Sequence, residues 1–159
     1  DRISPNAEVS STRMSTLAHL AAQEHKDSLG IILTTMNASI QKVPPRKSIE
    51  GATLSLTVGN TIELADLTTF LFRNGYSRTG TVMEPGEFAA RGSIVDIFAA
   101  GTTTPVRLDF FGDKLESVRV FDPLTQITTG IGENLDLVPV SEVQLTNETS
   151  ARFREAYRN

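Results

Sequence analysis

Two short alternating runs, "PVRLDFF" and "KLESVRVFD", flank Gly112-Asp113, and they constrain this chain more than any other feature. Val106, Leu108 and Phe110 recur at every second position with Arg107 and Asp109 between them, the period of a strand with one buried face. A glycine-aspartate pair between two such runs is hairpin chemistry. Upstream lie "YSRTGTVME", the pair Pro85-Gly86 and "EFAARGSIVDIF". The pattern predicts a meander of antiparallel strands joined by tight turns, with Gly86 at a turn and Gly92 at a strand kink or bulge.

Other elements follow from the same reading. "ATLSLTV" alternates like a strand and is broken at Gly59-Asn60. "TIELADLTTFLFRN" reads as a helix whose apolar stripe is Leu64, Leu67, Phe70 and Leu71, stopped by Asn74-Gly75. "LDLVPV" is one more short strand, confined to an edge or an end by Pro139. Residues 10–27 read as a helix, capped by Ser10 or Ser11, with Met14, Leu17, Leu20 and Ala21 at helical spacing. "LGIILTT" has the continuous apolarity of a strand buried on both faces. "NASIQKVPPRKS" holds one helical turn ended by Pro44 and Pro45, and "NETSARFREAYRN" opens a last helix.

These readings make the fold class α+β. A small, mostly antiparallel module with one helix occupies residues 47–143. It is attached to a truncated α/β lobe remnant at 1–46, and 144–159 begin a return toward that lobe. The first residue is Asp rather than Met, as in a fragment. An apolar strand without the rest of its sheet tends to pair with a second copy, so a homodimer through residues 1–46 is expected.

Composition narrows the function. Hydrophobic residues make up 39% and charged residues 21%, the balance of a globular protein, and no apolar run is long enough to span a bilayer. There is no cysteine, hence no disulfide and no thiolate metal site, in keeping with the cytoplasm. Residues 47–143 contain seven Lys or Arg against thirteen Asp or Glu, the wrong sign for tracking phosphates. Eleven of the fifteen basic residues are arginine, which fits either interfaces that pair with carboxylates or a GC-rich genome.

Catalytic machinery is not evident. No glycine precedes a lysine as in a phosphate-binding loop, and no G-x-S-x-G elbow supports a nucleophile. His19 and His25 lack the i, i+4 spacing of helical metal ligands, and Asp109, Asp113 and Glu116 read as solvated turn residues. Asp122-Pro123 reads as an Asx turn. Arg78 and Arg91 stand out. Counting outward from Pro85-Gly86 places them near one another, and two neighbouring arginines require carboxylates, either internal (Glu84, Glu87) or from a partner. Asp96, inside an apolar strand, raises its own question.

The runs "GYSRTGTVMEPGEFAARGSIVDIF" and "PVRLDFFGDKLESVRVFDPLTQ" resemble the bacterial transcription-repair coupling factors (Mfd), in the module similar to the UvrA-binding domain of the excision-repair protein UvrB. "ISPNAEVSSTRMSTL" and "TTMNASIQKVPP" resemble the first domain of that family, so the likeness covers nearly the whole chain. "GEFAARG" and "FDPLTQ" favour the coupling factors over UvrB. Ala89 departs from the arginine that UvrB places there, and Ala99 from the proline of both families.

The resemblance implies a non-catalytic fragment that recruits UvrA in transcription-coupled nucleotide excision repair. Arg78 and Arg91 would be its partner-binding residues, with Phe98 as an apolar contact. ATP and Mg, the DNA translocase motor, and contacts with RNA polymerase and double-stranded DNA would belong to other regions of the parent protein. The first domain of the family resembles a UvrB ATPase lobe without its nucleotide loop, so no nucleotide, cofactor or metal is expected here. The alternative is part of an ATP-dependent repair enzyme with a structural or autoinhibitory role.

Overall fold

The computed structural model describes residues 7–22, 31–141 and Arg154. The apolar stripe of helix α4 (Leu64–Arg73) organises the larger part of it. Leu67 and Leu71 are fully buried and Leu64 and Phe70 pack beside them, as their helical spacing requires. Asp66 in the first turn and Arg73 in the last complement the helix dipole. Asn74 ends the helix by donating its side-chain amide to the Phe70 carbonyl (2.9 Å), and Gly75 then takes φ 85°.

A six-stranded sheet lies against that helix. Its strands are β2 (Ser77–Arg78), β3 (Glu87–Arg91), β4 (Ile94–Ile97), β5 (Val106–Phe111), β6 (Lys114–Phe121) and β7 (Thr128–Gly132), adjacent in that order. From β3 to β7 every pairing is antiparallel, and the β5–β6 hairpin turns at Gly112-Asp113, with φ 59° at Gly112. The alternation at 106–110 is as read: Val106, Leu108 and Phe110 are buried while Arg107 and Asp109 lie on the other face. The inner face meets α4 and a two-stranded antiparallel ribbon, β1 (Leu54–Thr57) with β8 (Asn134–Leu137). Leu56, Leu135 and Leu137 of the ribbon join the same core. The chain is α+β.

Two details of the meander differ from expectation. "EFAARGSIVDIF" is not one kinked strand but two, since Gly92 (φ 60°) and Ser93 form a tight turn that pairs Arg91 with Ile94. Nor do Arg78 and Arg91 lie on an antiparallel hairpin. β2 is two residues long and runs parallel to β3, with Ser77 opposite Glu87 and Arg78 opposite Phe88. A parallel pair cannot close through a tight turn. Residues 79–86 therefore loop over the outer face, where Val82 is fully buried against Ala89, Phe98 and Phe121.

The amino-terminal part is thinner. Helix α1 (Ala7–Ala22) packs Met14, Ala18 and Ala21 against Ile49 of the short helix α3 (Arg46–Glu50), and between them comes the single turn α2 (Met36–Ser39). Ser10 and Ser11 sit within α1 rather than capping it, because the helix starts earlier; buried Ser11 instead accepts a hydrogen bond from the Gly101 backbone N–H (2.9 Å). The strand expected at "LGIILTT" is absent from its described residues. Residues 31–35 have no regular structure, and Ile31, Ile32 and Leu33 are exposed. A strand needs a neighbour to take its backbone hydrogen bonds, and among the described residues none is paired with this segment. Residues 23–30 and, apart from helical Arg154, 142–159 lie outside the described residues, and with them the end of the first predicted helix and the return segment.

Candidate protein-binding face

The outer face of the sheet is built by the residues that alternate with the core. Ala89, Asp96, Arg107, Arg119 and Ile131 stand in one row across β3 to β7, because each is registered opposite the next. Asp96, only 2% exposed, answers the question its sequence position raised. Its carboxylate accepts two hydrogen bonds from the opposite strand, from Arg107 Nε (2.6 Å) and Nη2 (2.9 Å). A forked pair of this kind satisfies a buried charge that would otherwise be prohibitive. The Asp96 hydrogen bond pushes Arg107 above its ordinary pKa, and its guanidinium also lies over the Phe121 ring, 4.8 Å from the centroid.

A second pair lies beside the first. Asp109 accepts from Ser117 Oγ (2.7 Å) and from Arg119 Nη2. Glu87, one of the two internal carboxylates considered for the arginines, is engaged by backbone instead. Its Oε2 accepts from the amides of Met83 (2.8 Å) and Glu84 (3.0 Å).

Arg78 and Arg91 remain. Both are exposed at the β2–β3 edge, and among the described residues neither meets a carboxylate. Arg78 Nη2 donates to the Ala90 carbonyl (3.4 Å), and Arg91 Nη2 donates to the Gly80 carbonyl. The two arginines thus contact the same edge, Arg78 reaching β3 and Arg91 reaching the loop that follows β2. Backbone carbonyls leave the formal charge of both groups uncompensated.

Phe98 is a correction. Strand period puts it on the outer face with Asp96, but it is 5% exposed, covered by the loop that carries Val82. It is a core residue under the face rather than a contact on it. Ala89 is buried in the same cluster. The pairs Asp96–Arg107 and Asp109–Arg119 were missed as pairs. Their residue types were visible, but the register that joins residues 11 and 10 positions apart was not.

Asp122-Pro123 is a turn, as read. Asp122 Oδ1 accepts from the Thr125 amide (2.7 Å), the Thr125 hydroxyl (2.9 Å) and the Leu124 amide (3.0 Å), and these bonds, the one from the Thr125 amide foremost, lower its pKa. Behind the sheet, burial pushes Tyr76 up to about 12, and its hydroxyl donates to the Val138 carbonyl (2.9 Å) while accepting from the Ala100 amide (3.2 Å). Among the described residues, no His, Asp or Glu cluster could hold a metal, and no helix is long and apolar enough to cross a membrane.

The charged, exposed edge lies on a small α+β module, and comparisons with known proteins give the family of that module. The model of the UvrB interaction domain matches residues 54–143, and the chain belongs to that family. Along its whole length it is also similar to transcription-repair-coupling factors. It is 34% identical over 159 residues to that of Escherichia coli (strain K12), covering 100% of this chain and 14% of the relative. With the Myxococcus xanthus protein it shares 35% identity over 158 residues (99% of this chain, 13% of the relative), and with the Haemophilus influenzae protein 33% over 158 (99% and 13%). The chain therefore spans about one seventh of the length of these relatives.

Proposed function

We propose that the module is a non-catalytic adaptor that recruits the excision-repair protein UvrA in transcription-coupled repair, through the edge bearing Arg78 and Arg91. The observation that carries this reading is a contrast within one sheet. Arg107 and Arg119 are answered by Asp96 and Asp109, whereas Arg78 and Arg91 have only backbone carbonyls. Guanidinium groups left without a carboxylate on an acidic module are suited to acidic side chains of another polypeptide. ATP hydrolysis, translocation on DNA and contact with RNA polymerase are assigned to the remaining length of the parent protein.

The test is titration calorimetry of the 159-residue chain with UvrA. Arg91→Ala and Arg78→Ala are each expected to weaken binding by about 2 kcal/mol, roughly thirty-fold, while leaving the thermal transition in place. Affinity should also fall as salt is raised. Unchanged affinity in both variants would remove the arginines from the interface, and ATP hydrolysis by the isolated chain would contradict the adaptor reading.

A further inference from the structure

Gln126 is the non-glycine residue that adopts positive φ (62°) among the described residues. That conformation is unfavourable for a side chain of this kind and is ordinarily given to glycine or asparagine. It persists where the surroundings over-determine it. Here they do: the Gln126 amide donates to the Asp122 carbonyl (2.8 Å), within the turn that the Asp122 carboxylate already fixes. The strained backbone aims the side chain across the sheet. Gln126 Nε2 donates to the Pro123 carbonyl (2.6 Å) and, 44 positions away in sequence, to the Val82 carbonyl (3.2 Å).

Val82 belongs to the loop that crosses the outer face, and two residues before it lies Gly80, whose carbonyl receives Arg91. The loop is thus held from three sides: by Glu87 at Met83 and Glu84, by Gln126 at Val82, and by Arg91 at Gly80. A Cβ placed at Gly80 or at Gly92 would meet no atom within 4 Å, so the backbone is open at both glycines. The Gly80 carbonyl is the acceptor for the Arg91 guanidinium, and Gln126 holds the same loop two residues further on, at Val82, which is also buried against Ala89, Phe98 and Phe121.

We infer that Gln126 is a positioning residue for partner binding: by clamping the 79–84 loop it holds the Gly80 carbonyl that orients Arg91 toward UvrA. This rests on the reading of Arg91 as a partner contact. It assigns a role to a side chain that approaches the partner only through another residue.

A double-mutant cycle on the 159-residue chain tests it, with UvrA affinity read by calorimetry and folding by thermal melting. Gln126→Gly relieves the backbone strain and removes only the side-chain clamp. It should leave the melting temperature unchanged or raised, yet weaken UvrA binding about five- to ten-fold, the scale of one lost positioning hydrogen bond. Gln126→Asn tolerates the same backbone but is one methylene too short to reach Val82, and should behave likewise. In an Arg91→Ala background, Gln126→Gly should cost nothing further. Full affinity in Gln126→Gly, with Arg91→Ala still impaired, would overturn the inference and leave the UvrA reading standing. Additive losses in the double variant would also overturn it, since Gln126 would then act independently of Arg91. Undiminished binding by Arg91→Ala would overturn both.

Discussion

The interaction module and the amino-terminal arm use apolar residues of the same kinds with opposite results. In "SIVDIF", Val95 and Ile97 are fully buried, because β3 and β5 pair with the strand on either side and α4 covers its inner face. In "GIILTT", Ile31, Ile32 and Leu33 are 89%, 66% and 93% exposed. Intrinsic strand preference is high in both segments. What separates them is the supply of neighbours, and that is a property of the chain around them rather than of the residues. The module closes its core with its own strands; the arm presents an apolar strip over which, among the described residues, nothing is laid.

The largest effect that can break this contrast is a core truncation in the module. Phe88 is fully buried and meets Phe72 edge to face at 5.2 Å. Phe88→Ala should cost about 4 kcal/mol in urea denaturation, and a loss below 1 kcal/mol would mean that the module does not depend on this core. The next effect is read with pH at Tyr76. Its folded pKa is near 12 against an ordinary value of 10.0, so the neutral hydroxyl is favoured by the fold. The stabilisation is fully present below the unfolded value and is lost as pH climbs from about 10 through about 12, in total about 3 kcal/mol. Tyr76→Phe should flatten that alkaline limb. If it leaves the limb unchanged, another group is responsible.

The smallest effect on stability belongs to the arm. Replacing Ile31, Ile32 and Leu33 together by serine should change unfolding free energy by no more than about 0.5 kcal/mol per site, as at exposed positions generally. The same change should abolish self-association measured by light scattering. A wild-type chain that is monomeric at high concentration would show that the strip is not a pairing surface.

What was legible in the sequence follows the same division. Helix α4 and the β5–β6 hairpin could be read because short-range periodicity and turn residues decide them, as at Leu67, Leu71 and Gly112-Asp113. Arg78 and Arg91 do lie at one edge, but through a parallel pairing that no local signal announces. Phe98 sat on the expected face and was hidden by a loop residue, Val82, whose burial is long-range. Asp96 could be marked as out of place, but its partner across the sheet depended on register. The isoleucines at 31 and 32 misled for the reason already given: a buried strand and an exposed one share the same letters.

Gly101 is one of the points at which the two regions meet; Val138 packs against the α1–α3 cluster at another. Gly101 adopts φ 78°, its N–H is bonded to the Ser11 hydroxyl, and a Cβ there would collide with the Ser15 side chain. Helix α1 therefore rests on the main chain beyond β4 through the small side chains of Ser11 and Ser15. Adding even a methyl group at this residue would act as a wedge, prising the helix away while sparing the interior of both parts. A substitution at this one position would therefore loosen the joint at Gly101 while the Val138 contact remains.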